Sequence, residues 1–343
     1  MNRRALSFFM LGLLVGTPLA MAALVPAIQS ARTDPARANP ARTKIVLKLG
    51  HVLPASHPVH TSMEFMARRV AELSASAVEL QVFGGSQLGT GPELLADTQH
   101  GTLSGMKTTA AALEEFVPEM AVFGMPYLFR SDDHYWNVLL GEIGKEILRA
   151  VEAHDLHGLC YYDGGARSFY TVRKPILEPT DIQGMKLRVM ESNKSEEMII
   201  TLGGVPAPIP YGGVFPALQH GTIDGAENNP PSFYTSGHYQ TAKHYSLDEH
   251  TRVPDVLVFS KKIWEALSPQ ARGWIEQAAT ESVSFQLRLW REQTENALKQ
   301  VQKAGVVVYH PDKAAFAAAM APMYTKADGT RLGELARRIM VAD

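Results

Sequence analysis

The sequence predicts an α/β fold of two lobes, with a ligand cleft between the lobes and a long helix that spans both. Three observations support this prediction. Short apolar strands alternate with helical patterns along most of the chain, which is typical of α/β folds. Residues 99–105 (QHGTLSG) recur almost unchanged at residues 219–225 (QHGTIDG), so a helix end, a glycine turn and a strand occur once in each half. Residues 268–305 form one helical pattern that is longer than a single lobe requires.

In the first half, an apolar run is followed by apolar residues at helical spacing and then by a segment that alternates apolar and polar residues. This βαβ order predicts two parallel strands with a helix packed on one face. A glycine-rich loop at residues 84–91 comes next, and Pro92 suits the first turn of the helix after it. The elements predicted in this half are strands at residues 45–50, 78–82 and 103–108 and helices at residues 63–73, from 92 and at 132–151.

The second half repeats the alternation of strands and helices. Ser268 followed by Pro269 is typical of a helix start, and Gly305 is typical of a helix end. About 36 residues at 1.5 Å each then give a helix of ~54 Å, which can lie across both lobes. The other elements predicted in this half are strands at residues 157–162, 168–172, 186–190, 205–209 and 222–226 and helices at residues 192–202 and 213–220.

The N-terminus has the features of an export signal. Arg3 and Arg4 precede an apolar run, and Ala20-Met21-Ala22 fits a small-residue cleavage site. We therefore predict a cleaved signal peptide at residues 1–22 and a periplasmic protein. A retained membrane anchor is the alternative, because no charge follows until Arg32. Residues 23–43 are predicted to be a linker, since proline and arginine recur there among small residues.

About 300 residues follow the linker, enough for two domains with their own cores. We expect residues 44–164 with about 254–290 to form lobe I, and residues 165–253 with about 291–343 to form lobe II. The chain carries 33 Lys and Arg against 35 Asp and Glu, a net charge of −2. A near-neutral chain argues against a nucleic-acid partner. The single cysteine, Cys160, excludes an internal disulfide and lies in an apolar strand pattern, which indicates a buried structural thiol.

The sequence lacks the usual motifs of metal, nucleotide or nucleophilic catalysis. His51, His57 and His60 lie near one another, but no second cluster with metal-ligand spacing accompanies them. His51 ends the first strand, so it is a candidate to face the cleft. The segment 84–88 (GGSQL) has leucine where a nucleophile elbow requires glycine, and no glycine fingerprint for a nucleotide occurs. These observations favour a binding protein without a metal or cofactor over an exported enzyme, which stays the alternative class.

Two sets of polar residues are candidates for ligand contacts. Glu227, Asn228 and Asn229 follow a short apolar strand, at the place where open α/β folds bind ligands. An acid and two amides supply donors and acceptors together, which suits a ligand rich in hydroxyls. Arg167 and Arg188 lie in strand-like segments, where a buried charge is costly unless it is paired. Each arginine is therefore either half of an internal ion pair or a receptor for a carboxylate.

Several motifs in one order make the chain similar to a known family. It resembles the extracytoplasmic solute-binding proteins of tripartite ATP-independent periplasmic (TRAP) transporters from about residue 44 to the C-terminal region. The motifs that carry the resemblance are GSQLG at residues 85–89, PYLF at 126–129, GAR at 165–167, GMKLR at 184–188 and DGAEN at 224–228. The resemblance implies two lobes that close on a ligand, a monomer, a TRAP permease as the membrane partner, and no catalysis.

The resemblance also implies roles for particular residues. In the family, the arginine at the position of Arg188 grips the ligand carboxylate, and the arginine at the position of Arg167 assists. Asn228 falls at a position that contacts the ligand, and Tyr211 falls where an aromatic side chain lines the pocket. Thr109 falls where the first lobe supplies a polar contact. For the acid that follows the GSQLG loop in the family, the candidate is Glu93.

The ligand class predicted by residues and resemblance together is a sugar acid, a hexuronate such as glucuronate or galacturonate. Arg188 and Arg167 supply charge for one carboxylate, and no third strong cation is evident for a second. The segment 226–232 (AENNPPS), followed by His238, is similar to the uronate-binding branch of the family. A smaller aldonate, a C4-dicarboxylate or a 2-oxo acid are the alternatives. Glu227 either contacts the ligand or supports Arg188.

Overall fold

The computed structural model describes residues 44–342. The predicted signal peptide (1–22) and linker (23–43) lie outside this range. No helix within residues 44–342 has both the length and the apolar content to cross a membrane.

Strands and helices alternate through most of the described chain. The strands are β1 Ile45–Gly50, β2 Val78–Phe83, β3 Gly105–Thr109, β4 Leu156–Tyr162, β5 Ala166–Thr171, β6 Lys186–Val189, β7 Val205–Pro208, β8 Gly225–Asn228, β9 His244–Arg252, β10 Asp255–Ser260 and β11 Val307–Tyr309. The helices are α1 Pro58–Leu73, α2 Gly91–His100, α3 Ala110–Leu113, α4 Asp132–Leu140, α5 Glu142–Arg149, α6 Asn193–Thr201, α7 Val214–Gln219, α8 Pro230–Thr235, α9 Lys261–Ala266, α10 Pro269–Lys303, α11 Lys313–Ala319, α12 Ala321–Ala327 and α13 Arg331–Met340.

The strands form two sheets. Sheet A has the order β2-β1-β3-β10-β4, and sheet B has the order β11-β9-β5-β8-β6-β7. β1 pairs with β2 in parallel from Ile45 opposite Val78 onwards, which confirms the predicted βαβ unit. In sheet B, β6 pairs in parallel with both β7 and β8, whereas β5 runs antiparallel to β8. Two separate sheets with helices packed around them confirm the predicted α/β fold.

The internal repeat marks equivalent places in the two sheets. Helices α2 and α7 end just before Gly101 and Gly221, which have φ angles of 81° and 66°. Glycine adopts these left-handed conformations without the steric cost of a Cβ. The following strands begin at Gly105 in sheet A and Gly225 in sheet B. A side chain at either glycine would press on the backbone of the neighbouring strand, which explains glycine at both positions.

Some predicted boundaries differ from the structure. The strand predicted at residues 222–226 begins at Gly225, so Glu227 and Asn228 lie within β8 instead of after it. The strand predicted at residues 103–108 likewise begins at Gly105. The predicted helical region at 132–151 is divided at Gly141, whose extended backbone ends α4 and begins α5. Element boundaries are the least reliable part of a prediction from sequence pattern alone.

The chain passes between the sheets at residues 163–165 and 253–254, and α10 spans both. With 35 residues, α10 is about 52 Å long at 1.5 Å per residue, as predicted. On the side of sheet A, Glu281 of α10 accepts from Arg69 of α1 at 2.6 Å. Near the first crossing, the Gln286 amide bonds both the N–H and the C=O of Asp163 at 3.0 Å. The long helix is therefore tied to a connection between the sheets.

The C-terminal helix α13 packs on the segment predicted to belong to lobe I. His134 Nε2 lies 2.9 Å from the carbonyl oxygen of Ile339, and Arg338 pairs with Glu146 at 2.7 Å. The apolar face of α13, including Leu335, is buried in this contact region. The predicted allocation of the whole segment 291–343 to lobe II therefore differs from the packing of α13, and the other lobe boundaries stay a prediction.

Candidate functional site

A cavity of about 140 Å³ is lined by residues of both sheets and of the connections between them. Gly164 and Val253, one from each crossing, form part of its wall. The polar residues contributed by sheet A and its helices are His57, Lys107, Thr108, Thr109 and Asp255. Those contributed by sheet B and its helices are Arg167, Arg188, Glu191, Asn228, Asn229 and Ser232. A cavity shared by two lobes suits a ligand that is enclosed when the lobes approach each other.

Arg188 is a buried cation at the cavity. It lies in β6, is 3% exposed, and its Nε donates to the carbonyl oxygen of Ile209 at 2.8 Å. This bond fixes the guanidinium plane. Among residues 44–342, no carboxylate forms an ion pair with Arg188. Burial lowers the pKa of Arg188, yet an arginine stays charged at neutral pH. Its charge is therefore available for a ligand carboxylate.

Arg167 is also buried, but its charge is already paired. Its Nε and Nη2 donate to the two carboxylate oxygens of Glu227 at 2.5 and 2.9 Å, and Nη1 donates to Asn228 Oδ1 at 3.0 Å. Burial alone would raise the pKa of Glu227, but the opposing charge of Arg167 holds that pKa at about 2. The fork-to-fork pair uses the geometry that matches guanidinium to carboxylate. Arg167 therefore contributes little net charge to the cavity.

A histidine and an aspartate extend this ion pair into the core. His250 Nε2 lies 3.6 Å from Glu227 Oε2, and its Nδ1 lies 2.8 Å from Asp248 Oδ2. Burial opposes a charge on His250, but Asp248 and Glu227 outweigh it and raise the pKa of His250 to about 9. Asp248, His250, Glu227 and Arg167 thus form a buried row of alternating charges.

Sheet A supplies a second buried ion pair and a capping threonine. Lys107 Nζ lies 2.7 Å from Asp255 Oδ1. Thr109 Oγ1 accepts from the N–H of Ala112 at 3.1 Å and so caps the short helix α3 at the edge of the cavity. Together these side chains give the sheet A wall both donors and acceptors.

His57 joins the two sides of the cavity. Its Nδ1 accepts from the N–H of Val59 at 3.2 Å and caps α1, so in the neutral ring Nε2 carries the hydrogen. Nε2 then donates to Ser232 Oγ on α8 at 3.1 Å. Burial, with a further contribution from Lys107, lowers the pKa of His57 well below its usual range. His57 is therefore neutral and acts as a hydrogen-bond donor.

The structure brings most of the predicted site residues together. The predicted residues that line the cavity are Arg188, Arg167, Asn228, Tyr211 and Thr109. Glu227 lies behind Arg167 and does not line the cavity. The sequence left open whether Glu227 supports Arg188, and in the structure its partner is Arg167.

His51 and Glu93 lie elsewhere. His51 is fully buried, with Nε2 2.9 Å from His60 Nδ1, and burial lowers the pKa of His51 to about 3. Glu93 is exposed, and its carboxylate accepts from the N–H of Thr90 at 2.8 Å in a capping box at the start of α2. Neither residue lines the cavity: His51 belongs to a buried histidine pair, and Glu93 belongs to a helix cap.

Some cavity residues were not predicted from the sequence. Lys107 lies in the strand predicted at residues 103–108, so a charge within a strand was a signal that could have found it. Asp255 begins β10, a strand that was not predicted. His57 and Ser232 give no such signal, because a histidine before a helix and a serine within one are common at caps.

The fold and the cavity define a two-lobed binding protein that encloses a small ligand between its lobes, with a long helix spanning both. The family model for bacterial extracellular solute-binding proteins of family 7 (DctP) matches residues 49–329, and the chain belongs to this family of TRAP solute-binding proteins. Membership confirms the resemblance stated from the sequence motifs. Proteins of this family are the solute-binding components of transport systems.

Known proteins similar to this chain support the same placement. A solute-binding protein of Chromohalobacter salexigens is 36% identical over 275 residues, covering 80% of this chain and 82% of the relative. A Bradyrhizobium TRAP periplasmic solute-binding protein crystallised with galacturonate has a TM-score of 0.84 and 39% identity, covering 86% of this chain and 99% of that one.

Two further solved structures hold sugar acids. A Chromohalobacter salexigens protein with bound D-glucuronate has a TM-score of 0.84 and 34% identity, covering 87% of this chain and 100% of that one. A Polaromonas protein bound to D-erythronate has a TM-score of 0.84 and 30% identity, covering 88% of this chain and 99% of that one. Similar structures thus bind both uronates and a shorter aldonate.

Proposed function

We propose that this protein binds a sugar acid with one carboxylate, a hexuronate such as glucuronate or galacturonate, and delivers it to the membrane subunits of a TRAP permease. The observation that carries the proposal is the charge balance of the cavity. Arg167 is neutralised by Glu227, and Lys107 is neutralised by Asp255. Arg188 then contributes one positive charge that a ligand carboxylate neutralises.

A second carboxylate on the ligand would have no cation to meet. An unpaired buried charge is strongly unfavourable, so a dicarboxylate would lose affinity relative to a monocarboxylate. Glu191, the remaining carboxylate of the lining, is exposed, and solvent screens its charge. Its sign nonetheless opposes a second ligand carboxylate.

Neutral polar groups of the lining suit the hydroxyls of a sugar. Asn228 Oδ1 accepts from Arg167 Nη1 at 3.0 Å and from the N–H of Asn229 at 2.9 Å. With the oxygen occupied on the protein side, the amide NH₂ of Asn228 serves as a donor to the ligand. A cavity that hydrogen-bonds hydroxyls disfavours acids that lack them, because its polar groups would stay unpaired. This favours uronates and aldonates over 2-oxo acids.

A shorter aldonate is the second candidate. The Polaromonas structure with bound D-erythronate supports it. Erythronate, like a uronate, has one carboxylate and several hydroxyls. The charge balance of the cavity does not distinguish uronates from aldonates. Titration with acids of both lengths must therefore determine which one binds.

Isothermal titration calorimetry with a panel of acids tests the proposal. The panel contains glucuronate, galacturonate, erythronate, succinate and pyruvate. We expect saturable binding of one uronate per protein, with the ligand recovered unchanged after incubation. Tight binding of succinate or pyruvate with no response to either uronate would overturn the sugar-acid assignment, and chemical conversion of the ligand would indicate an enzyme.

Export, oligomeric state and partner are proposed together with the ligand. The mature protein should be a periplasmic monomer that begins near Ala23. Mass spectrometry of the protein released from the periplasm and light scattering of the purified protein measure these properties. An intact Met1 on membrane-bound protein would instead identify a tethered form. Ligand uptake into vesicles that contain the TRAP permease, with and without this protein, tests the delivery step.

A further inference from the structure

The sheet A wall of the cavity contains a buried ion pair between Lys107 and Asp255. Lys107 and Asp255 are 5% and 6% exposed, and the distance between Nζ and Oδ1 is 2.7 Å. They lie on the neighbouring antiparallel strands β3 and β10, where Leu257 stands opposite Lys107 and Asp255 stands opposite Thr109. The offset of two residues puts both side chains on the same face of the sheet.

The pair has unused hydrogen-bonding capacity. An ammonium group has three N–H donors, and a carboxylate has two acceptor oxygens. The contact within the pair joins Lys107 Nζ to one carboxylate oxygen of Asp255, Oδ1. Both residues line the cavity. The pair therefore presents donors and an acceptor to a ligand while its net charge is zero.

We propose that Asp255 determines the ligand specificity of this protein by neutralising Lys107. With the pair intact, the cavity accepts acids with one carboxylate, and the pair hydrogen-bonds ligand hydroxyls. Without the charge of Asp255, Lys107 becomes a second buried cation in the cavity that contains Arg188, and two cations suit a dicarboxylate. This inference rests on the proposed binding of a sugar monocarboxylate and adds the residue that excludes the dicarboxylate.

Repulsion contributes to this selectivity together with attraction. A second ligand carboxylate near Lys107 would also lie near the carboxylate of Asp255, and like charges in a buried site are costly. Discrimination between ligands often depends on such an unfavourable contact with the wrong one. A hydroxyl at the same place donates to Asp255 and accepts from Lys107, so it satisfies both groups.

A purely structural pair is the competing explanation. The backbone ladder already joins β3 to β10 from Asp255 to Phe259, and a buried ion pair is often no more stabilising than apolar residues of similar size. If the pair were structural, removing one charge would lower stability and weaken every ligand alike. The proposal instead predicts a change in the ranking of ligands.

The test compares two acids that differ in the oxidation state of one carbon. Glucuronate has one carboxylate, and the corresponding aldarate has the aldehyde carbon oxidised to a second carboxylate. Calorimetric titrations give the ratio of their dissociation constants for the native protein, Asp255→Asn, Lys107→Gln and the double variant. We expect the native protein to prefer glucuronate and Asp255→Asn to shift the ratio at least tenfold toward the aldarate.

The other variants separate the charge effect from a loss of folding. Lys107→Gln leaves Asp255 as an unpaired anion, so it should weaken the aldarate more than glucuronate. The double variant removes both charges and should return the ratio to within about threefold of the native value. Circular dichroism shows whether Asp255→Asn folds. If it does not, the ratio of dissociation constants for Lys107→Gln tests the proposal in its place.

Failure of this inference is distinguishable from failure of the proposed function. If the native protein binds neither uronate nor erythronate of the calorimetry panel, the sugar-acid function fails. If the native protein binds glucuronate and Asp255→Asn keeps the native ratio of dissociation constants, the specificity role of Asp255 is overturned and the function stands. Where Asp255→Asn does not fold, an unchanged ratio for Lys107→Gln has the same meaning.

Discussion

Arg167 Nε lies 2.5 Å from Glu227 Oε2, and Arg167 Nη2 lies 2.9 Å from Glu227 Oε1. This two-point pair separates the roles of two arginines that look alike in the sequence. One is held by an internal carboxylate, and the other, Arg188, has none among the described residues. Arg188, the proposed receptor for the ligand carboxylate, is thus distinguished by its lack of an internal carboxylate partner within residues 44–342.

The first prediction concerns Arg188. Arg188→Ala should reduce uronate affinity by roughly 2–5 kcal/mol, about 30-fold to several thousand-fold, because the ligand carboxylate loses its partner in a buried site. Arg188→Lys should also bind poorly, since an ammonium does not reproduce the two-point fork of a guanidinium. Calorimetric titration measures both losses.

Arg68→Ala is the matched control for Arg188→Ala. Arg68 is an exposed arginine of α1 that does not line the cavity. Its removal should leave affinity within about twofold and the free energy of unfolding within about 0.5 kcal/mol, as for most surface substitutions. Near-native binding by Arg188→Ala would remove Arg188 from the proposed site.

The second prediction concerns the pair of Arg167 and Glu227. Glu227→Gln leaves Arg167 as a buried unpaired cation, so it should lower the free energy of unfolding by about 3–5 kcal/mol. The double variant Arg167→Met/Glu227→Gln removes both charges and should be more stable than Glu227→Gln alone. Urea unfolding of the native protein, both single variants and the double variant gives the coupling energy. Additive effects of the two substitutions would contradict the pairing.

The architecture was predictable from the sequence where the chain follows regular patterns. The repeat ending at Gly105 and Gly225 and the cap before Pro269 depend on local chemistry, and the structure has both features at the predicted places. Strand β9 was not predicted, because it contains buried charged residues such as Asp248 and His250. Such residues are tolerated only through pairing in three dimensions, and pairing is not visible in a hydrophobic pattern.

The candidate site was predictable in its residue types and less so in its roles. An arginine in an apolar strand marks a buried charge, and both Arg167 and Arg188 do line the cavity. Which arginine keeps an unpaired charge depends on which of them pairs with Glu227. That choice is set by the pairing of β5 with β8, which places Phe169 opposite Glu227. His51 shows the opposite error, since a strand-end position alone does not determine which way a side chain faces.

The third prediction is a pH dependence of stability from His250. Its pKa is raised from 6.5 to about 9, so the folded state holds the proton more tightly than the unfolded state. The contribution to stability is complete below about pH 6.5 and is lost as the pH rises to 9. A shift of this size corresponds to about 3 kcal/mol in order of magnitude. Urea unfolding at a series of pH values should show this decline.

His250→Gln should remove that decline. The amide cannot carry the charge that Glu227 and Asp248 favour, so the variant should be less stable near pH 6 and should show a flatter profile between pH 6.5 and 9. His310→Gln, at an exposed histidine that forms no ion pair within residues 44–342, serves as the control and should keep the native profile. A profile for His250→Gln that still falls like the native one would assign the decline to other groups.

The last prediction concerns the crossing between the sheets. Gly164 lies in the first crossing and lines the cavity, and a Cβ at this position would clash with the carbonyl oxygen of Val253 in the second crossing. The obstacle is backbone, which cannot rotate away as a side chain can. Gly164→Ala must therefore push the two crossings apart, and since both form the cavity wall, the displacement should reduce ligand affinity as well as stability by roughly 1–3 kcal/mol.

Gly273→Ala provides the comparison, because it makes the same chemical change in the same chain. Gly273 lies on the exposed face of α10, and nothing lies within 4 Å of an added Cβ. Alanine is the better helix former, so this variant should be more stable by about 0.5–1 kcal/mol with unchanged affinity. Thermal unfolding and calorimetry on the two variants separate a steric clash from a general effect of replacing glycine. If Gly164→Ala were as stable as the native protein and bound uronate equally well, the crossings would be free to separate, and the close contact of Gly164 with Val253 would not constrain the cavity.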